Sequence, residues 1–284
     1  MADRPARRTP TPIRGRVVRT ERLTPHMIRV VLGGDGLAEL TTRGLGTHTD
    51  HYVKLLFPAD GTTLPEPLDL EALRQDLPRD QWPRTRTYTV RAWDPAALEL
   101  TIDFVHHGDE GLAGPWAARA QPGDTLYFSG PGGGYAPDPA ADWHLMAGDE
   151  SALPAIAAAV EALRPGAIAK VFIEVADPDE HQKLLTAADA DITWLHRDGR
   201  PLGDALVQAV TTLDFPPGDV HVFVHGEATF VKELRRHLRL DRTIPRDRMS
   251  ISGYWRRGSD EDGWQSSKRE WNAQVEREQE PTHP

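Results

Sequence analysis

Arg86-Thr87-Tyr88-Thr89 is the most chemically loaded string in the chain. At a strand end, an arginine can clamp a pyrophosphate through paired hydrogen bonds. The tyrosine two residues on shares its face and can stack on a flat ring, and the threonine hydroxyl beside it can donate to a ring nitrogen. Further on come Asp103-Phe104-Val105-His106-His107-Gly108 and then Gly111, which opens a short helical stretch with Pro115 near its first turn. Unpaired N–H groups at a helix start favour a phosphate. A flavin dinucleotide lying across this half of the chain would use both features.

A second set lies downstream. Gly148-Asp149-Glu150-Ser151 follows an apolar run and opens a helical pattern, the position where dinucleotide folds put their phosphate turn. It is not GxGxxG, and its two carboxylates would repel a pyrophosphate. Glu174 ends the next apolar run, where an acid can accept from ribose hydroxyls and disfavour a 2′-phosphate. Arg197, after the third run, can bind that phosphate instead. The two pull in opposite directions, so NADH and NADPH both remain open.

Other signals carry less. His48 and His51 flank Asp50 without a nameable third ligand, and the adjacent His106 and His107 point to opposite faces of a strand. No metal site is therefore expected. No GxSxG elbow occurs. The chain has no cysteine, which excludes disulfides, thiolate zinc sites, cysteine nucleophiles and cysteine-ligated iron–sulfur relays.

Two kinds of element must position these residues. Ile13–Thr20, His26–Gly33, His51–Phe57, Arg86–Trp93, Leu98–Val105 and Asp124–Gly130 alternate apolar and polar positions between Gly/Pro/Asp clusters. Six such runs, interrupted only by a short helix over 111–120, predict an antiparallel barrel. From Trp143 onward, short apolar runs (143–148, 169–175, 191–196, 220–226 and 248–253) alternate with helical patterns at 152–163, 179–185, 202–210 and 229–240. That order predicts a five-stranded parallel doubly wound sheet. The segments are read as a tail at 1–12, a barrel domain at 13–138, an α/β domain at 142–253, and a terminal segment at 254–284. That last segment carries Tyr254, Trp255 and Trp264, then a polar helix over 265–280 with Trp271 and Val275 on one side.

With 33 basic and 43 acidic residues among 284, the chain carries a net charge of −10, which argues against nucleic acid as partner. No run is long and apolar enough to span a bilayer, and the N-terminus does not read as a signal peptide, so a cytoplasmic protein without a membrane partner is expected. Between residues 232 and 257, nine Lys/Arg face three acids. Arg246, Arg256 and Arg257, outside the helical pattern there, are expected to attract an anionic chelate or nucleotide.

RTYTVR, DFVHHG, GLAGPWA, MAGDESALPAI, WLHR, HGE and GYWRRG follow in order, a succession that resembles the siderophore-interacting proteins. These are FAD-dependent ferric-siderophore reductases of the ferredoxin-reductase superfamily. The resemblance runs from about Ile13 to Trp264. It implies that Arg86 holds FAD phosphate, Tyr88 stacks on the flavin and Thr89 approaches its N5 edge, with Thr87 and Arg91 in the same strand. It also implies that Asp103, Val105, His107 and Gly108 line the ribityl and phosphate stem, while Gly111, Ala113 and Gly114 close over the pyrophosphate. NADPH or NADH is implied at Gly148–Ser151, with Gly226 and Glu227 near the nicotinamide end. Lys54, Arg246, Tyr254, Trp255 and Arg256 are the substrate-side expectations.

Three positions depart from the family pattern. Leu112 and Gly114 replace the proline and serine of the usual turn, and Gly132 stands where relatives carry a basic residue. The implied activity is transfer of electrons from NAD(P)H through FAD to Fe(III) in a ferric siderophore, with the protein supplying position and a pocket. The alternatives are a flavin reductase of a protein acceptor such as a ferredoxin, and a non-enzymatic ferric-siderophore binder. A monomer is expected.

Overall fold

The computed structural model describes residues 11–259 and 261–279. Most of the expected tail at 1–12, together with Asp260 and the last five residues, lies outside the described residues.

The alternating runs close into an antiparallel barrel. Strands β1 (Ile13–Thr24), β2 (Met27–Gly33), β3 (Tyr52–Phe57), β4 (Arg84–Asp94), β5 (Glu99–Val105) and β6 (Thr125–Gly132) are ordered 1-2-5-4-3-6. Helices α1 (Ala38–Thr42), α2 (Leu70–Asp76) and α3 (Ala113–Arg119) lie in the connections. Every second residue points inward, so Val30, Leu32, Val53, Leu55, Ile102 and Phe104 are fully buried while Tyr52 and Lys54 face out. One irregularity matters for chemistry. Arg84 to Thr89 of β4 pair with β3, but pairing with β5 begins only at Val90–Ile102. The first half of β4 thus keeps an edge that β5 does not cover.

The second half forms a parallel sheet of β7 (Trp143–Asp149), β8 (Ile168–Val175), β9 (Asp189–His196), β10 (Val220–Glu227) and β11 (Met249–Trp255), in the order 11-10-7-8-9. Helix α4 (Leu153–Glu161) packs on one face, in a core that also takes in Leu23, Met27 and Val105 of the barrel. Helices α5 (Asp204–Thr211) and α6 (Ala228–Arg236) cover the other face. Helix α7 (Glu261–Gln279) buries Trp264 and Val275. The strand order reverses between β7 and β10, and ligands of such sheets bind at the carboxyl ends of strands at that point.

Charged residues stitch the two halves together. Arg91 of β4 makes a two-pronged pair with Glu161 of α4, at 2.8 and 2.6 Å. The buried Glu180 accepts from the Thr24 hydroxyl at 2.5 Å and from the His26 backbone N–H at 3.1 Å. That contact explains why the helix expected over 179–185 is absent. A single 3-10 turn, Pro178–Glu180, forms under an Asp177 cap, and Glu180 then turns into the seam. The helix expected over 229–240 ends at Arg236 and continues as a π turn, His237–Asp241.

Candidate functional site

A cleft of about 390 Å³ opens between the barrel and the carboxyl ends of β7 and β11. The barrel contributes Arg86 and Tyr88 from β4, Val105 from the end of β5, His107, and the turn from Gly111 to Gly114. The opposite wall is Asp149, Glu150, Ser151, Arg197, Leu202 and Trp255, with Glu261 of α7 at the rim. Residues far apart in sequence thus meet in one space.

On the barrel wall, Arg86 and Tyr88 share a strand face, as their spacing requires. The Tyr88 ring packs on Phe104 at 4.5 Å, which fixes its plane. Burial and the nearby Glu261 carboxylate push its phenol up from the ordinary range. Gly108 and Gly111 have φ of 63° and 80°, which let the chain turn back toward the cleft. Gly114 is needed for a different reason. A Cβ there would lie 2.8 Å from the Val105 carbonyl oxygen, so the departure from serine permits a closer approach of α3 to β5. Burial lowers the pKa of His107, leaving its imidazole neutral at neutral pH.

On the sheet wall, the carboxylates of the 149–151 turn are engaged by donors of the protein itself. Asp149 is buried and accepts four hydrogen bonds: from the Ser151 N–H and hydroxyl at 3.0 and 2.5 Å, the Glu227 N–H at 2.9 Å, and the Trp255 indole at 2.9 Å. Burial nevertheless raises its pKa. Glu150 accepts from the Ala176 N–H and from Arg197, both at 2.9 Å. The repulsion expected from two acids is therefore answered by internal donors. Gly148 leaves no room for a Cβ, which would meet the His225 carbonyl oxygen at 2.6 Å. Gly226, at φ 139°, makes the corner after which Glu227 caps α6 through the Thr229 N–H at 2.7 Å.

Several expected residues are not brought to this cleft. Asp103 sits on the outer barrel face in a two-pronged pair with Arg29, at 2.7 and 2.8 Å, and Arg91 reaches Glu161. Asp103 is held by a pair within the barrel, β2 to β5, while Arg91 is drawn into the seam with α4. Glu174 is fully buried and holds the Gly203 N–H at 2.9 and 3.1 Å ahead of α5, so it faces no ribose. Thr89 is buried and hydrogen-bonded to the Tyr254 hydroxyl. Arg246 precedes β11, whose far end reaches the cleft, so about 20 Å of strand separates it from Trp255. It pairs there with Glu276 at 2.6 Å. The basic stretch goes the same way: Lys232 pairs with Glu278, and Arg248 with Asp138. Arg256 is exposed, immediately after Trp255.

Beside β3, the expected Lys54 is joined by a second lysine, Lys268. At Gly132, a Cβ would lie 2.4 Å from the Tyr52 ring, so that ring covers the place where the family resemblance leads one to expect a basic residue. Lys54 is exposed two residues along β3. The Lys268 ammonium of α7 stands close enough to Lys54 and Glu261 for both charges to act on it, and burial lowers its pKa. Lys268 was missed in the sequence, although a signal existed. It lies on the same helical stripe as Trp264, Trp271 and Val275, the face that α7 turns inward.

A guanidinium and a flat phenol on a half-open strand, opposite a turn that bends back on glycines, make a donor set that suits a flavin dinucleotide. Comparison with known proteins agrees with that chemistry. Residues 16–135 match the profile described as a siderophore-interacting FAD-binding domain, and residues 141–258 match that described as a siderophore-interacting protein. The chain is similar to a ferric vibriobactin reductase of Vibrio cholerae, 35% identical over 256 residues that cover 88% of this chain and 92% of that protein. It is also similar to an NADPH-dependent ferric-chelate reductase of Escherichia coli, 32% identical over 243 residues, covering 84% and 91%. Among solved structures it is similar to a siderophore utilization protein from T. fusca, with 41% identity and a TM-score of 0.74 over 87% of this chain and 93% of that one.

Proposed function

The chain belongs to the siderophore-interacting protein family, and we propose that it is a flavin-dependent reductase passing electrons from NADPH or NADH, through bound FAD, to ferric iron in a siderophore. The observation that carries this reading is the cleft itself, with Arg86 and Tyr88 on one wall and the Asp149–Ser151 turn and Trp255 on the other. Bound FAD would supply the redox chemistry, accepting two electrons as a hydride and releasing them one at a time.

The chain's own residues bind and orient. Arg86 would neutralise the dinucleotide's phosphates, and Tyr88, held by Phe104, would present its face to the ring system. The glycine turns at 108 and 111 let backbone approach the stem. On the other wall, the nicotinamide nucleotide would meet the 149–151 turn, the Gly226–Glu227 corner and Arg197. No side chain is required as nucleophile or base. Lys54 and Lys268 give the outer face a positive potential that attracts an anionic ferric chelate. Oxygen donors hold ferric iron better than ferrous, so reduction loosens the chelate and frees the metal for use in the cell.

The direct test is the visible spectrum of the protein loaded with FAD, recorded anaerobically after NADPH or NADH and again after a ferric chelate. Bleaching followed by reoxidation, with ferrous iron trapped by a coloured chelator, is the expected sequence. Reduced flavin that persists after the ferric chelate is added would overturn the reading.

A further inference from the structure

We propose that the acidic start of α7 is a built-in competitor for the flavin site, so that Glu261 must leave β4 for FAD to load fully. The inference rests on the flavoprotein reading above. Its basis is a contact that crosses the molecule. Both carboxylate oxygens of Glu261 accept from the backbone N–H of Thr87, at 2.8 and 3.0 Å. The next residue, Asp262, places a carboxylate oxygen 3.6 Å from the Arg86 guanidinium. Two adjacent acids of the C-terminal helix thus engage the two anion-attracting features of one strand.

The position of that contact gives it meaning. Thr87 lies on the part of β4 that β5 does not cover, so its N–H is available to a ligand rather than to a neighbouring strand. Glu261 lines the cleft together with Arg86 and Tyr88, and its charge is felt at the Tyr88 phenol. A carboxylate there offers what a flavin dinucleotide would offer: acceptor oxygens to a strand N–H and negative charge to an arginine. The two cannot use the same N–H and the same guanidinium at once. Occupation by the helix therefore lowers the fraction of protein ready for FAD, and apparent affinity falls by that fraction.

Helix α7 has other anchors, the buried Trp264 first among them, so Glu261 and Asp262 ahead of it can move without the whole helix leaving. Gln279 bonds Arg235 at 2.7 Å and the Lys232 carbonyl at 3.0 Å, and Glu276 bonds Arg246 at 2.6 Å. These lie at the far end. Lys268, between the two ends, senses both Glu261 and Lys54, so displacement of the first turn would also change the charge seen by the substrate face.

The test is FAD binding to the apoprotein, followed by quenching of flavin fluorescence, for the wild type, E261A, D262N and the far-end control E276Q. E261A is expected to bind FAD about tenfold more tightly, through faster association, D262N by a smaller factor, and E276Q unchanged. Equal or weaker FAD binding by E261A would overturn the competition. A wild type that takes up no FAD at any concentration would instead overturn the flavoprotein reading. A second measurement avoids variants altogether. Amide hydrogen exchange over residues 261–268 of the wild type should speed up when FAD is added, and slower exchange there would also overturn the proposal.

Discussion

The indole N–H of Trp255 donates to Oδ2 of Asp149 at 2.9 Å, tying the end of the last strand to the turn after the first strand of the same sheet. The Glu227 N–H lands on that same oxygen at 2.9 Å. One buried carboxylate therefore holds three corners of the cleft wall in register. Charge-assisted bonds to a buried acceptor are strong, and removing the acceptor strands every donor at once. D149A is expected to lose about 3 kcal/mol of stability, whereas W255F, which removes a single donor, loses about 1 kcal/mol. Urea unfolding of the two variants and the double variant checks this. The indole bond should appear as a shortfall from additivity.

Arg86 is the cation best placed for a phosphate. R86A should raise the dissociation constant for FAD about tenfold or more, with the normal fold retained by circular dichroism. Lysine at this position should recover only part of the loss, because an ammonium cannot reproduce the two-pronged geometry.

Lys268 should govern how the protein responds to alkaline pH. Burial lowers its pKa, so it loses its charge at a lower pH than an exposed lysine. The KM for an anionic ferric chelate should therefore rise at alkaline pH before ordinary lysines titrate. In K268R the charge persists, and that rise should shift to higher pH or vanish. K54A should raise the same KM and also move its alkaline rise to somewhat higher pH, because the Lys54 charge helps lower the Lys268 pKa.

Acid stability should depend on two buried histidines. Burial lowers His144 to about 4 and His225 to about 3, against an unfolded value near 6.5. Below that unfolded value, the unfolded chain binds protons that the folded protein refuses. Stability is thus full above about 6.5 and falls as pH drops toward the folded values. H225Q and H144Q should each flatten the dependence of unfolding free energy on pH across that window.

The barrel and the parallel sheet were legible in the residues because alternation and short apolar runs are local properties of a strand. The pairing of Arg86 with Tyr88 on one face was legible for the same reason. The placement of Glu174 was not. Its position at the end of a strand matched a ribose-binding acid, yet its carboxylate turns to the Gly203 N–H, a choice made by a loop distant in sequence. Arg91 and Asp103 looked like cofactor ligands by neighbourhood, but Glu161 and Arg29 claim them across the fold. Arg246 belonged to a basic stretch, and only the direction of β11 shows that it sits at the wrong end.

The sequence by itself determined the two folding units, the strand bearing Arg86 and Tyr88, and the absence of any cysteine chemistry, because these depend on residue type and short-range period alone. Only the tertiary structure decided which charges meet. It set Lys268 beside Lys54 where the Tyr52 ring covers Gly132, and it laid Glu261 on Thr87 across the molecule. Those partners are far apart along the chain. Side-chain charge and size, acting through long-range packing, select them, and no local pattern in the sequence encodes that selection.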